Sequence, residues 1–181
     1  MKLLLTSIYI IFSFLFLIYL AIPNINFPNQ ILDSRTSYEP ADTETTLRKG
    51  YFTDFSRGEV LTHYKNEFVL NIFGYKLKPL ELNYPPEEAQ TLIRDQTRST
   101  FLEELVFPFR ESIYINGFEP KEDKDAIVVD GVRYRQKIIV KSVSSNVYVR
   151  FIIGIATIVF VGFYLLNLSL VINKVKKSWK S

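Results

Sequence analysis

The stretch FIIGIATIVFVGFYLLNLSLVI, residues 151–172, runs 22 residues without a charged side chain. At about 1.5 Å rise per residue it makes roughly 33 Å of helix, enough to cross a hydrocarbon layer of roughly 30 Å. Tyr148 sits just outside it, where an interfacial aromatic belongs, and Trp179 lies in the tail beyond. Gly154, Thr157 and Val161 fall near one helical face and would let another helix come close, although small residues are common in such segments in any case. Asn167 is the most polar group in the stretch and has two candidate partners, a neighbouring helix and interfacial water.

At the other end of the chain, LLLTSIYIIFSFLFLIYLAI, residues 3–22, is again uncharged, and Pro23 ends it. A cleaved leader is the rival reading. The apolar run is longer than a usual leader core, and Tyr19 stands where a small residue is wanted two positions before Ala21. Two transmembrane helices, 1–22 and 151–173, are therefore expected. Lys174, Lys176, Lys177 and Lys180 crowd the tail 174–181, and Lys2 precedes the first segment. By the positive-inside rule both termini face the cytoplasm, and residues 23–150 lie outside a plasma membrane. Arg150 at the opposite mouth runs against the rule. The lysine tail suits anionic lipid as well as topology, and topology alone explains it.

Charge is unevenly placed. All 19 acidic residues lie between the two apolar segments, with 17 of the 22 basic ones, so the middle region is slightly acidic. The sequence pI near 9.0 reflects the ends and does not argue for nucleic acid. There is no cysteine and one histidine, His63. Disulfides, thiolate metal sites and cysteine nucleophiles are excluded, and a multi-histidine metal site or a Ser-His-Asp relay has only that one histidine to draw on.

Residues 23–49 read as a proline-punctuated polar linker, and residues 50–150 as an α+β domain of two helices on an antiparallel sheet of four or five strands. Ser56 and Glu59 form a capping box opening a helix to about Phe68, with Val60, Leu61, Tyr64 and Phe68 on one face. Residues 75–84 read as a strand broken at Pro79. Pro85-Pro86-Glu87-Glu88 is a helix start, and that helix is expected to run to about Val106. Residues 110–115 read as a strand ending in an Asn116-Gly117 turn, and Asp130-Gly131 as the turn of a hairpin over residues 126–143.

Candidate functional residues are few. Glu59, His63 and Glu67 share a stripe that could hold a divalent cation, but solvated charge on an amphipathic helix explains it more simply. Arg94 and Arg98, one turn apart on the expected second helix with Asp95, Glu103 and Glu104, could clamp an anion; salt bridges are the simpler account. Arg133, Arg135, Lys137 and Lys141 make the most one-sided charge row, suited to head groups, anionic glycans or an acidic partner, against a solvated sheet face. Phe107, Phe109, Tyr114 and Phe118 cluster about a proline turn, as core or as a sugar-binding ledge. No G-x-S-x-G, H-E-x-x-H, phosphate loop or G-x-G-x-x-G occurs, and no cofactor is expected.

The stretches YFTDFSRGEVLTHYKNEF (51–68) and LNYPPEEAQTLIRDQTRSTFLEELVFPFRESIYINGFEP (82–120) resemble uncharacterised two-pass membrane proteins of candidate-phylum bacteria. The resemblance implies a bacterial origin and a plasma-membrane address, and it assigns no activity and no site residues. The layout is also similar to polysaccharide co-polymerases, whose long helices this domain lacks. The expectation is a non-catalytic envelope protein that binds a protein partner or its own copy. The alternatives are an extracytoplasmic sensor of anions or glycans and a small envelope enzyme.

Overall fold

A computed structural model describes residues 2–94, 96 and 98–179; for residues 2, 3 and 173–178 only the helical backbone is described. The side chains of Lys2, Lys174, Lys176 and Lys177, together with Asp95 and Lys180, lie outside that description. The chain divides into two compact units, residues 1–23 with 145–181, and residues 24–144.

The first unit is a pair of apolar helices, α1 (Lys2–Ala21) and α4 (Val147–Ser178). Both are long and apolar enough to cross a membrane. They pack antiparallel. The Tyr9 hydroxyl donates to the Ile158 carbonyl, and Leu20 lies against Gly154 so closely that a Cβ there would sit 2.3 Å from its methyl. Gly154 is thus the point of close approach, while Thr157 bonds back to Ile153 and Asn167 to Phe163 of their own helix. Arg150 is buried at the end of the pair. Its Nη1 donates to the carbonyls of Ile22 (3.2 Å) and Leu20 (3.5 Å), and its Nε and Nη2 to Ser145. The last carbonyls of α1 have no helical partner, and a guanidinium supplies one while complementing the negative end of the helix. Arg150 therefore has a structural role where a charge count sees only a cation on the wrong side.

The second unit is built on one six-stranded antiparallel sheet, in the order β1-β2-β10-β7-β6-β5. The strands are β1 (Arg35–Ser37), β2 (Arg48–Thr53), β5 (Leu80–Tyr84), β6 (Phe101–Val106), β7 (Ser112–Phe118) and β10 (Gln136–Val143). Two small ribbons stand apart, β3 (Leu70–Ile72) with β4 (Tyr75–Leu77), and β8 (Ile127–Val129) with β9 (Val132–Tyr134). Helix α2 (Arg57–Glu67) opens on the Ser56–Glu59 capping box and buries Val60, Leu61 and Tyr64, with Phe68 as its C-cap. Ion pairs from Arg57 to Glu103 and from Lys65 to Glu81 set α2 on the face that carries those two acids. On the other face the short helix α3 (Ala89–Leu92) brings Ala89 and Ile93 against Leu102 and Ile139. The sheet is therefore covered on both sides, a layered α+β arrangement.

Several expectations are corrected. The second helix does not run to Val106. Residues 86–88 form a single 3-10 turn, α3 lasts four residues, and Arg94 then takes φ +55°, which ends it. Phe101–Val106 is a strand, β6, with both faces buried, so the alternation that marks a half-buried strand is missing. Asn116-Gly117 is no turn but lies within β7, towards its end. Gly117 faces Phe101 across the strands, where a Cβ would lie 2.0 Å from the ring, and Asn116 accepts from Ser99. Residues 75–84 divide at Pro79 into strands of two different sheets. The segment read as a linker holds β1 and a 3-10 turn (Pro40–Asp42), and buries Ile31 and Asp42. The Asp130-Gly131 hairpin is present, although β9 and β10 are separated at Arg135.

Candidate functional site

The six basic residues singled out in the domain, Arg94, Arg98, Arg133, Arg135, Lys137 and Lys141, are dispersed, and each has its own partner. Lys137 is only 17% exposed, and its ammonium meets Asp42 at 2.7 Å and Glu39 at 2.8 Å, above the Phe52 ring. Ser37 donates to the same Asp42 oxygen at 2.6 Å. The cluster pins β1 and the turn after it to the middle of the sheet. Lys141 donates to the Leu92 carbonyl (2.8 Å), and its cross-strand neighbour Arg48 to the Arg94 carbonyl (3.2 Å), so two sheet cations satisfy the open end of α3. Arg133 pairs with Asp123 and Arg135 with Glu119, both at 2.7 Å. Arg94 meets Glu44 at 3.1 Å, and Arg98 meets Asp125 at 2.8 Å with its guanidinium over Phe118. No two of the six converge on a common point. The residues expected as a single row act as separate ties between segments.

The acidic stripe on α2 is likewise engaged. The Glu59 carboxylate accepts from the Ser56 hydroxyl and backbone amide, which hold its pKa below the usual range. His63 Nε2 donates to the Asn29 carbonyl at 3.0 Å, and Glu67 accepts from the Asn29 amide at 2.7 Å. The stripe fastens the entry segment to α2. The aromatic group about the proline turn also separates. Phe107 packs on Phe68, Tyr114 on Tyr84, and Phe109 is exposed.

Sequence reasoning named Glu103 and Glu104 only as companions of Arg94 and Arg98 on a helix, and missed that both are buried on a strand. Glu103 is fully buried under Arg57. Glu104 accepts from the Tyr84 hydroxyl at 2.7 Å on the opposite face. That hydrogen bond, with some burial, raises the Tyr84 phenol pKa, and burial with the Glu104 charge raises that of Tyr114. Because neighbouring strand residues point to opposite faces, the two acids cannot work on one substrate. Their signal was the acid pair inside FLEELV, flanked by apolar residues on both sides.

Two features of the second unit remain open, one apolar and one polar. At one rim of the sheet β5 is the terminal strand, with Leu80 58% and Leu82 43% exposed on one face. The ribbon just before it presents Phe73, Tyr75 and Leu77 to solvent. At the opposite rim a shallow hollow of about 260 Å³ is lined chiefly by hydroxyls, among them Thr36, Thr43, Thr45 and Thr46, with Arg48 and Lys49. No family model, curated protein or solved structure matches the chain.

Proposed function

We propose that this chain is a membrane-anchored interaction protein of a bacterial envelope. Both helices cross the plasma membrane, the basic tail and the N-terminus face the cytoplasm, and the domain outside acts by binding another protein chain along β5. The observation that carries the reading is the exposed apolar face of that terminal strand, Leu80 and Leu82, on a domain whose charged side chains are largely tied to one another. An open strand edge offers unpaired backbone groups, and alternate side chains add apolar contact. Pro79 and Pro85 bracket β5 and limit pairing to a short segment, which favours a specific partner over indiscriminate edge association.

Purification in mild detergent, with cross-linking beforehand in cells, tests this. A stable complex or homo-oligomer is expected, and Leu82→Lys should dissolve it without moving the thermal transition of the domain. A clean monomer, or a complex indifferent to Leu82→Lys, argues against the reading. Orientation is tested separately. The chain has no native cysteine, so Tyr38→Cys should react with an impermeant thiol reagent in intact cells and Trp179→Cys only after permeabilisation.

A second reading, a receptor for an anion or glycan, is favoured by the hydroxyl-lined hollow with Arg48 and Lys49. Its volume is below the roughly 300–1,000 Å³ usual for small-molecule sites, so it ranks second. A thermal-shift response to anions or glycans, lost in Lys49→Ala, would promote it.

A further inference from the structure

The domain contains two ribbons closed by the same kind of two-residue turn. In β8–β9 the turn is Asp130-Gly131, with φ +48° and +80°. In β3–β4 it is Phe73-Gly74, with φ +49° and +88°, between paired Ile72 and Tyr75. Such turns need left-handed backbone at both central positions, which suits Asp, Asn and Gly. A phenylalanine there is strained, because its Cβ crowds the following carbonyl and it has no short polar group to compensate. Its ring is moreover 86% exposed, and Tyr75 beside it is 81% exposed. Both features oppose folding, and a ring exposed to that extent has little burial to offset them. Lys76 and Lys78 follow. They are exposed and form no ion pair among the described residues, whereas Lys65 and Lys137 both reach carboxylates.

Two aromatic rings at a turn, beside two uncompensated ammonium groups, match one environment well. Aromatic side chains settle at the headgroup level of a bilayer, and lysines there meet lipid phosphates. A bilayer is also at hand if, as proposed above, helices on both sides of the domain cross one. We propose that the Phe73-Gly74 turn is a lipid-contacting tip. Phe73 and Tyr75 enter the headgroup layer of the membrane that carries the chain, and Lys76 and Lys78 pair with its phosphates. The inference rests on the spanning reading of the helices, and it is independent of a partner at β5.

The test uses the full chain with its only tryptophan removed (Trp179→Phe), reconstituted in nanodiscs with and without acyl-brominated lipid. A single tryptophan is placed in turn at Phe73, at Val128 beside the other turn, and at Val159 in α4. Phe73→Trp should emit to the blue of Val128→Trp, and brominated lipid should quench it while leaving Val128→Trp unchanged. Raising the anionic lipid fraction should deepen the quenching, and Lys76→Gln with Lys78→Gln should remove that dependence. Quenching at Val159 without quenching at Phe73 overturns the tip alone. Absence of quenching at Val159 overturns the spanning reading, and the tip with it. A second measurement guards against a misfolded reporter. Phe73→Asn suits the turn better and should keep the fold, yet it should expose a spin label at Leu77→Cys to an aqueous relaxation agent. Unchanged accessibility of that label likewise refutes the tip.

Discussion

Tyr64 offers a substitution whose sign runs against habit. Its ring is fully buried on the sheet-facing side of α2, and its hydroxyl has no hydrogen-bond partner among the described residues. Burial drives its pKa up, because the charged form would lose its hydration there. An unsatisfied buried hydroxyl costs about 1–3 kcal/mol, so Tyr64→Phe removes a penalty and keeps the ring with its edge contact to His63. The vacated oxygen leaves a void of roughly 10 Å³, worth about 0.2 kcal/mol at roughly 24 cal/mol per Å³. The net expectation is a gain of about 1 kcal/mol, or about 4 °C in the midpoint of a domain this size. Urea and thermal unfolding of the full chain in mild detergent, followed by near-UV circular dichroism, would read it. The alkaline limb supplies a second check. Tyr51, Tyr64, Tyr84 and Tyr114 all have raised pKa values, so their stabilisation is complete below about pH 10 and is lost as pH rises through the folded values. Tyr64→Phe should move alkaline unfolding upward, and absorbance at the tyrosinate band should lose part of its late, unfolding-coupled phase. A fall in the urea midpoint would refute the reasoning, because it would mean that the hydroxyl is satisfied after all.

Arg57→Ala strips the partner from Glu103, a fully buried carboxylate. A loss of about 3 kcal/mol is expected in chemical denaturation, the low end for breaking a buried pair because Arg57 itself is partly exposed. Gly117→Ala drives a methyl into the Phe101 ring and should cost about 1–3 kcal/mol. Phe101→Leu in the same chain should recover part of that loss, which a double-mutant cycle will measure. The capping box should titrate. The Glu59 pKa is lowered by its bonds to Ser56, so the stabilisation it brings is complete above the unfolded value near 4.5 and disappears as pH falls through the folded one. Hydrogen exchange of the first turn of α2 should therefore quicken below that pH, and Glu59→Gln should remove most of the pH dependence.

What could be read from the sequence was local. The Ser56–Glu59 box and the Asp130-Gly131 turn depend on residues within four positions of each other, and both are present. What could not be read was set by distant neighbours. Asn116-Gly117 has the composition of a turn but lies in β7, between β10 and β6, where Phe101 fills the space above the glycine. FLEELV lacks a strand's alternation because α2 covers one of its faces and α3 the other, while its paired acids and leucines are good helix formers. The short reach of α3 follows from Arg94, whose left-handed backbone no helical pattern announces.

The basic residues carry the same lesson into function. Alternation along residues 133–141 placed Arg133, Arg135, Lys137 and Lys141 in one row, broken at Ile139, but it said nothing about which acids would meet them. Those acids lie outside the strand: Asp42 for Lys137 comes from far along the chain, and Glu119 for Arg135 and Asp123 for Arg133 come from the preceding strand end and loop. A cation already held by a carboxylate is a poor handle for an outside anion, since binding must first break the existing pair. Lys76 and Lys78 looked unremarkable in the sequence, yet among the described residues they make no such pair, and they flank the exposed Tyr75 and Leu77. For this domain the number of charges along a strand is therefore a poor guide to which cations stay free for an outside anion. The informative feature is the segment from Phe73 to Leu82, where apolar side chains stay exposed at the expense of folding, and where substitutions should alter binding or lipid contact before they alter stability.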